Sequence, residues 1–156
     1  MLEIQFPEKP AFQLRSLVCD VNGTLALDGI LIEGVADAAA KIKEKLEITL
    51  LSANTTGSVK TIADELGVAF HIIRPGHEAE QKAEFLHSLG ENSTVAIGQG
   101  ANDVLMLRNA ALGICVLSRE GTAVTALTAA DIVVPDILAA FEILQNPLRI
   151  TATLRQ

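Results

Sequence analysis

The sequence has no tryptophan and no tyrosine, and its aromatic content is 3%. A chain so poor in rings has little on which bases or sugars could stack, which argues against a single-strand nucleic-acid platform. Positive charge is scarce too: 12 Lys and Arg stand against 19 Asp and Glu, a net charge of −7. Nucleic acid and anionic membrane surfaces are therefore not expected as partners. The 2 cysteines, Cys19 and Cys115, are far apart and each lies inside an apolar run. They read as small core residues rather than as a disulfide or a metal pair. No apolar run is long enough to span a bilayer, and no leader-like segment is evident. Reduced thiols without either feature lead to the expectation of a cytoplasmic protein.

What is abundant is aliphatic. Hydrophobic residues make up 49% of the chain, which suits strands covered on both faces. At 156 residues the length fits one domain spanning 1–156 with a substantial core. Leu2 to Phe6 alternates like an edge strand until Pro7 and Pro10 break it. Leu14 to Cys19 is a buried strand, and Leu25 to Ile32 carries two short apolar runs around Asp28-Gly29, a hairpin signal. Beyond it, helical patterns (Val35 to Leu46, Thr56 to Leu66, Glu78 to Leu89, Val104 to Ala110, Gly121 to Ala129, and a last helix from Asp136) alternate with strand patterns. The strands are Glu47 to Leu51, Val68 to Ile73, Thr94 to Ile97, Gly113 to Leu117 and Ile132 to Val134. Strict alternation predicts an α/β fold: a three-layer, doubly wound parallel sheet with a small β-hairpin flap.

The chemistry concentrates where predicted strands end. Asp20 follows the apolar run Leu17-Val18-Cys19, and Asn22-Gly23-Thr24 follows it. Ligands of open α/β sheets bind beyond the carboxyl ends of strands, so a carboxylate there is presented to a substrate. Ser52 ends the next strand, Lys82 lies near the start of a helix, and Gly98-Gln99-Gly100-Ala101-Asn102-Asp103 follows a later strand. Taken singly, each residue reads as a turn cap or a solvated side chain. Gly98-Gln99-Gly100 could suggest a dinucleotide loop, but the acidic Asp103 where a third glycine belongs would repel a pyrophosphate. His71, His77 and His87 lack metal-ligand spacing, and Arg74 and His77 read as solvated residues near the substrate side.

As an ordered set, these stretches resemble the haloacid dehalogenase superfamily of phosphohydrolases over nearly the whole chain. Asp20-Val21-Asn22-Gly23-Thr24 is similar to that family's Asp-x-Asp-Gly-Thr motif, and 98–103 to its Gly-Asp-Gly-x-Asn-Asp motif. Ser52 matches its hydroxyl residue and Lys82 its lysine. The resemblance has the flavour of the phosphorylation domain of P-type ATPases, freed of membrane segments. The resemblance implies a HAD-like Rossmannoid fold, here without room for a cap domain. It also implies attack by Asp20 on phosphorus to give an aspartyl phosphate. Lys82 would offset charge, and Ser52, Ala53, Asn54, Gly23 and Thr24 would line the phosphate together with Lys82. Mg²⁺ would be held by Asp20, the Asn22 carbonyl and Asp103, with Gln99 offering a carbonyl oxygen. The substrate class implied is a phosphorylated small molecule or phosphoprotein, and the apolar flap makes a homo-oligomer plausible.

Two residues depart from the family pattern. Asn22 stands where family phosphatases carry an Asp that serves as general acid, and Gln99 replaces the first Asp of the acidic pair. Loss of general acid help costs about 10²–10⁴ in rate, which favours activated phosphates or slow turnover. A catalytically impaired module that binds phosphate, Mg²⁺ or a partner protein in a regulatory role is the alternative expectation.

Overall fold

The structure is a computed structural model that describes residues 1–53 and 57–155. A short antiparallel hairpin, β1 (Leu2–Ile4) and β2 (Phe12–Leu14), opens the fold. Then follow β3 (Ser16–Asp20), the flap strands β4 (Ala26–Leu27) and β5 (Ile30–Leu31), α1 (Val35–Lys43), β6 (Glu47–Ser52) and α2 (Val59–Leu66). Next come β7 (Ala69–Ile72), α3 (Glu78–Leu89), β8 (Thr94–Gly98), α4 (Val104–Asn109), β9 (Leu112–Val116) and α5 (Val124–Ala129). β10 (Ile132–Val134), α6 (Ile137–Gln145) and α7 (Pro147–Leu154) end the described chain.

Six parallel strands form the central sheet in the order β10-β9-β8-β3-β6-β7. The chain winds outward from β3 to one side through β6 and β7, then returns to the other through β8, β9 and β10. The strand order therefore reverses between β3 and β8, and crevices of that kind are where doubly wound sheets bind ligands. Asp20 is the last residue of β3, at that switch point.

Side-chain alternation along the strands divides the interior in two. Leu17 and Cys19 join the larger core under α1, α2, α6 and α7, whereas Val18 faces the smaller core with Leu86, Met106, Leu107 and Ala126 from α3, α4 and α5. Asp20 shares the parity of Val18 and so points to the side on which α3 packs.

The expected alternation is present, with local differences. The run from Leu14 to Cys19 breaks at Arg15, and Phe12–Leu14 pairs with Leu2–Ile4 instead. The second helix starts at Val59, because Gly57 at φ +71° cannot belong to a right-handed helix. The beginning expected at Thr56 lies outside the described residues. The last helical stretch divides at Asn146, with Pro147 opening α7 where its missing N–H costs nothing. The flap hairpin turns on Asp28 (φ 50°) and Gly29 (φ 79°), both left-handed as an Asp-Gly turn requires. Among the described residues no inserted domain stands over the sheet, and no helix is long and apolar enough to cross a membrane.

Candidate active site

Three elements converge on one lysine. Lys82 sits in the first half of α3, four residues before the core residue Leu86, so both project toward the sheet. Its Nζ lies 2.8 Å from Asp20 Oδ1 and 2.7 Å from Asp103 Oδ1. Lys82 and Asp103 are fully buried, and Asp20 is 7% exposed. An ammonium removed from water survives only if it is paired, and here it is paired twice. Asp20 keeps a narrow opening to solvent.

The charges shape one another. Burial and the Asp103 carboxylate raise the Asp20 carboxyl to about 7, against the opposing pull of Lys82 and the hydrogen bonds from Lys82 and Thr24. Burial pulls Lys82 down, but Asp20 and Asp103 more than offset it, so the lysine is held above its ordinary value. Beside them the Cys19 thiol is pushed well up by burial, then by Asp20 and Asp103, and is inert as a nucleophile.

Asp103 also folds its own loop. Its Oδ2 accepts the N–H groups of Gln99 and Gly100, both at 2.9 Å. A Cβ at Gly98 would stand 2.6 Å from the Asp103 carboxylate, so only glycine lets the carboxylate lie against the strand end. Asn102 Nδ2 donates to Glu78 Oε2 at 2.8 Å, which fastens this loop to the start of α3 and fixes where Lys82 enters.

Thr24, Asn22 and Ser52 lie at the same strand ends. Thr24 Oγ1 donates to Asp20 Oδ2 at 3.1 Å. Asn22 Nδ2 reaches the Ser52 hydroxyl at 3.4 Å, joining the ends of β3 and β6. Ala53 is half-buried just beyond Ser52, while Asn54 lies outside the described residues. The N–H groups of Gly23 and Thr24 are spent inside the turn, on the carbonyls of Ala26 (2.8 Å) and Val21 (3.1 Å). Arg74 and His77 are exposed, in the turn that leads into α3.

Two features were not legible in the sequence. Gln99 donates its side-chain Nε2 to the Asn22 carbonyl at 3.1 Å, so it offers a hydrogen where a carbonyl oxygen was expected. The Glu120 carboxylate lies over Gly23, where a Cβ would stand 3.2 Å from its Oε2. Nothing in the local run Ser118-Arg119-Glu120-Gly121 signals that placement, which depends on β9 lying two strands from β3. Beside Gly23 and Thr24 a cavity of about 520 Å³ opens between the flap and the loops after β9 and β10, walled by Leu27, Ile30, Leu117 and Leu138.

Magnesium needs about six oxygens, usually including one or two carboxylates, at ~2.1 Å. Here Asp103 accepts Lys82 at Oδ1 and two N–H groups at Oδ2, and the Asn22 carbonyl faces the N–H of Gln99 where a second oxygen ligand was expected. Among the described residues no group of three or more His, Cys, Asp or Glu is placed to hold a metal. As arranged, these residues do not fit the expected ion.

No family model matches the chain. An uncharacterized protein of Methanocaldococcus jannaschii is 42% identical over 84 residues, 51% of this chain and 90% of that protein. A soluble P-type ATPase-like phosphatase of the same organism is 26% identical over 121 residues, 76% of this chain and 44% of that longer protein. The 3-deoxy-D-manno-octulosonate 8-phosphate phosphatase of Moraxella catarrhalis, solved with magnesium, phosphate and KDO, superposes with a TM-score of 0.67. Its identity is 19%, over 89% of this chain and 90% of that one. A phosphoserine phosphatase in apo form gives 0.68 at 16% identity, over 85% of this chain and 98% of that one. The fold is that of the haloacid dehalogenase superfamily. The chain belongs to the same family as the uncharacterized Methanocaldococcus jannaschii protein.

Proposed function

We propose that the protein is a phosphohydrolase that takes a phosphoryl group from a phosphorylated small molecule onto Asp20 and passes it to water. The observation that carries this reading is the buried bridge from Lys82 to Asp20 and Asp103 at the switch point of the sheet. In its ionised form Asp20 still has lone pairs on both oxygens beyond those engaged by Lys82 and Thr24. One oxygen attacks phosphorus, the bond from phosphorus to the leaving oxygen breaks, and the leaving group departs with the electron pair. Water then attacks phosphorus, and the aspartyl–phosphate bond breaks to release inorganic phosphate and restore the carboxylate. Lys82, held in place by both carboxylates, offsets the negative charge gathering around Asp20. Asn22 carries no transferable proton, so the chemistry suits leaving groups that depart as stable anions, such as those of acyl phosphates and phosphoanhydrides.

The test uses acetyl phosphate as donor. The full chain should gain one phosphoryl group on Asp20, seen by mass spectrometry, and release inorganic phosphate. Asp20→Asn should do neither while remaining folded. Unlabelled wild-type protein, or full turnover by Asp20→Asn, would refute the assignment.

A second reading, a phosphate-binding regulatory module with little turnover, is favoured by the Gln99 carboxamide on the Asn22 carbonyl. Restoring Asp at both 22 and 99 separates the two. A large gain in hydrolysis means the wild-type site is crippled, and no gain means it is tuned to its own substrate.

A further inference from the structure

The Gln99 side chain is aimed from its backbone. Its N–H is tied to Asp103 Oδ2 at 2.9 Å and its carbonyl accepts the Ala123 N–H at 2.9 Å, so the residue is pinned on both sides. From there Nε2 reaches the Asn22 carbonyl at 3.1 Å, and it fills the space over Gly23, where a Cβ would meet it at 2.4 Å. Magnesium holds oxygens at ~2.1 Å, so two neighbouring ligands of an octahedral ion lie about 3 Å apart. Gln99 Nε2 and the Asn22 oxygen have that separation, but one of the pair is an N–H donor. A hydrogen bond therefore stands where two oxygens would share an ion. Asp20 and Asp103 share Lys82, and the Glu120 carboxylate lies on the far side of Gly23. The neutral Gln99 carboxamide between them adds no charge and turns an N–H donor, not an oxygen, toward the Asn22 carbonyl.

We infer that the Gln99 carboxamide replaces a divalent cation in this chain, closing the site with a hydrogen bond so that no metal is held beside Asp20. An acidic residue at 99 opens the position. Gln99→Glu keeps the shape of the side chain but sets a carboxylate oxygen against the Asn22 carbonyl, a repulsion that a cation relieves. Gln99→Asp supplies the same charge on a shorter arm. The inference rests on reading Asp20 as the centre of the phosphoryl site, but its test contains no phosphate.

The experiment is a titration of the full chain with Mn²⁺ in phosphate-free buffer, followed by electron paramagnetic resonance and calorimetry. Wild-type protein should show the same weak Mn²⁺ binding as Asp20→Asn, as expected if no ion sits at residue 20. Gln99→Glu or Gln99→Asp should bind one equivalent at least about tenfold more tightly than wild type. Their melting temperatures should rise with Mn²⁺ while that of the wild type stays still. One tight equivalent in the wild type, lost in Asp20→Asn, would overturn the inference, as would folded acidic variants that gain nothing. Should neither variant fold, the comparison of wild type with Asp20→Asn decides alone. Failure of the phosphohydrolase reading would instead appear as an unphosphorylated Asp20 with this titration unchanged.

Discussion

A lysine fully buried between two carboxylates has consequences that can be measured at the level of single residues. Lys82→Met fills similar space without charge and leaves Asp20 and Asp103 facing each other with no cation between them. Breaking a buried pair from one side costs about 3–5 kcal/mol, so urea unfolding should show a loss of that order. Asp20→Asn acts in the opposite sense, because its carboxyl titrates near 7 in the folded protein and near 4 when unfolded. The raised value means the native state binds this proton more tightly than the unfolded chain does. The stability it contributes is fully present below about pH 4 and is lost as pH rises through about 7. Melts at pH 5 and pH 8 should therefore show wild-type protein losing stability relative to Asp20→Asn. A constant difference between the two would show that Asp20 keeps an ordinary carboxyl. Phosphorylation should run the other way with pH, rising toward 8, since only the ionised carboxylate attacks.

At the scale of elements, α3 is where the site depends on things remote from it. The Asn102–Glu78 hydrogen bond ties the loop after β8 to the first turn of α3, and Gln81 holds the preceding turn through the N–H and carbonyl of Arg74. Asn102→Ala should cost roughly 1–2 kcal/mol in stability. If the contact positions Lys82, Asp20 phosphorylation should slow by more than the lost folded fraction explains, with Glu78→Gln, which can still accept, between the two. Equal losses in rate and folded fraction would make the contact merely structural. The elements themselves were largely legible. Aliphatic runs ending in Asp20, Ser52 and Gly98 could only be buried strands, and Glu78–Leu89 matches its helical period from end to end. Legibility failed where three-dimensional neighbours decide. The pairing of Phe12–Leu14 with Leu2–Ile4 needs a partner to be visible, and an amide can present either its oxygen or its hydrogens. The direction of Gln99 was settled by the carbonyl of Asn22, a residue no local pattern connects to it.

Across the whole molecule, stability and chemistry are held in different places. The larger core fills the face of the sheet under α1, α2, α6 and α7, whereas the Lys82 bridge belongs to the other face, among α3 and the loop after β8. α7 is tied down far from Asp20: Ile150 is fully buried and Thr151 donates to the Gln5 carbonyl at 2.7 Å. Ile150→Ala should leave a cavity that costs about 2–5 kcal/mol, lowering the melting temperature markedly. Its effect should stop there, because neither face can pass a deformation to the site without bending the strands between them. Phosphorylation of Asp20 per folded molecule, measured well below the melting transition, should equal that of the wild type. A slowed reaction in fully folded Ile150→Ala would mean that the two faces are coupled through the sheet, and that the site is less rigidly held than its buried charges require.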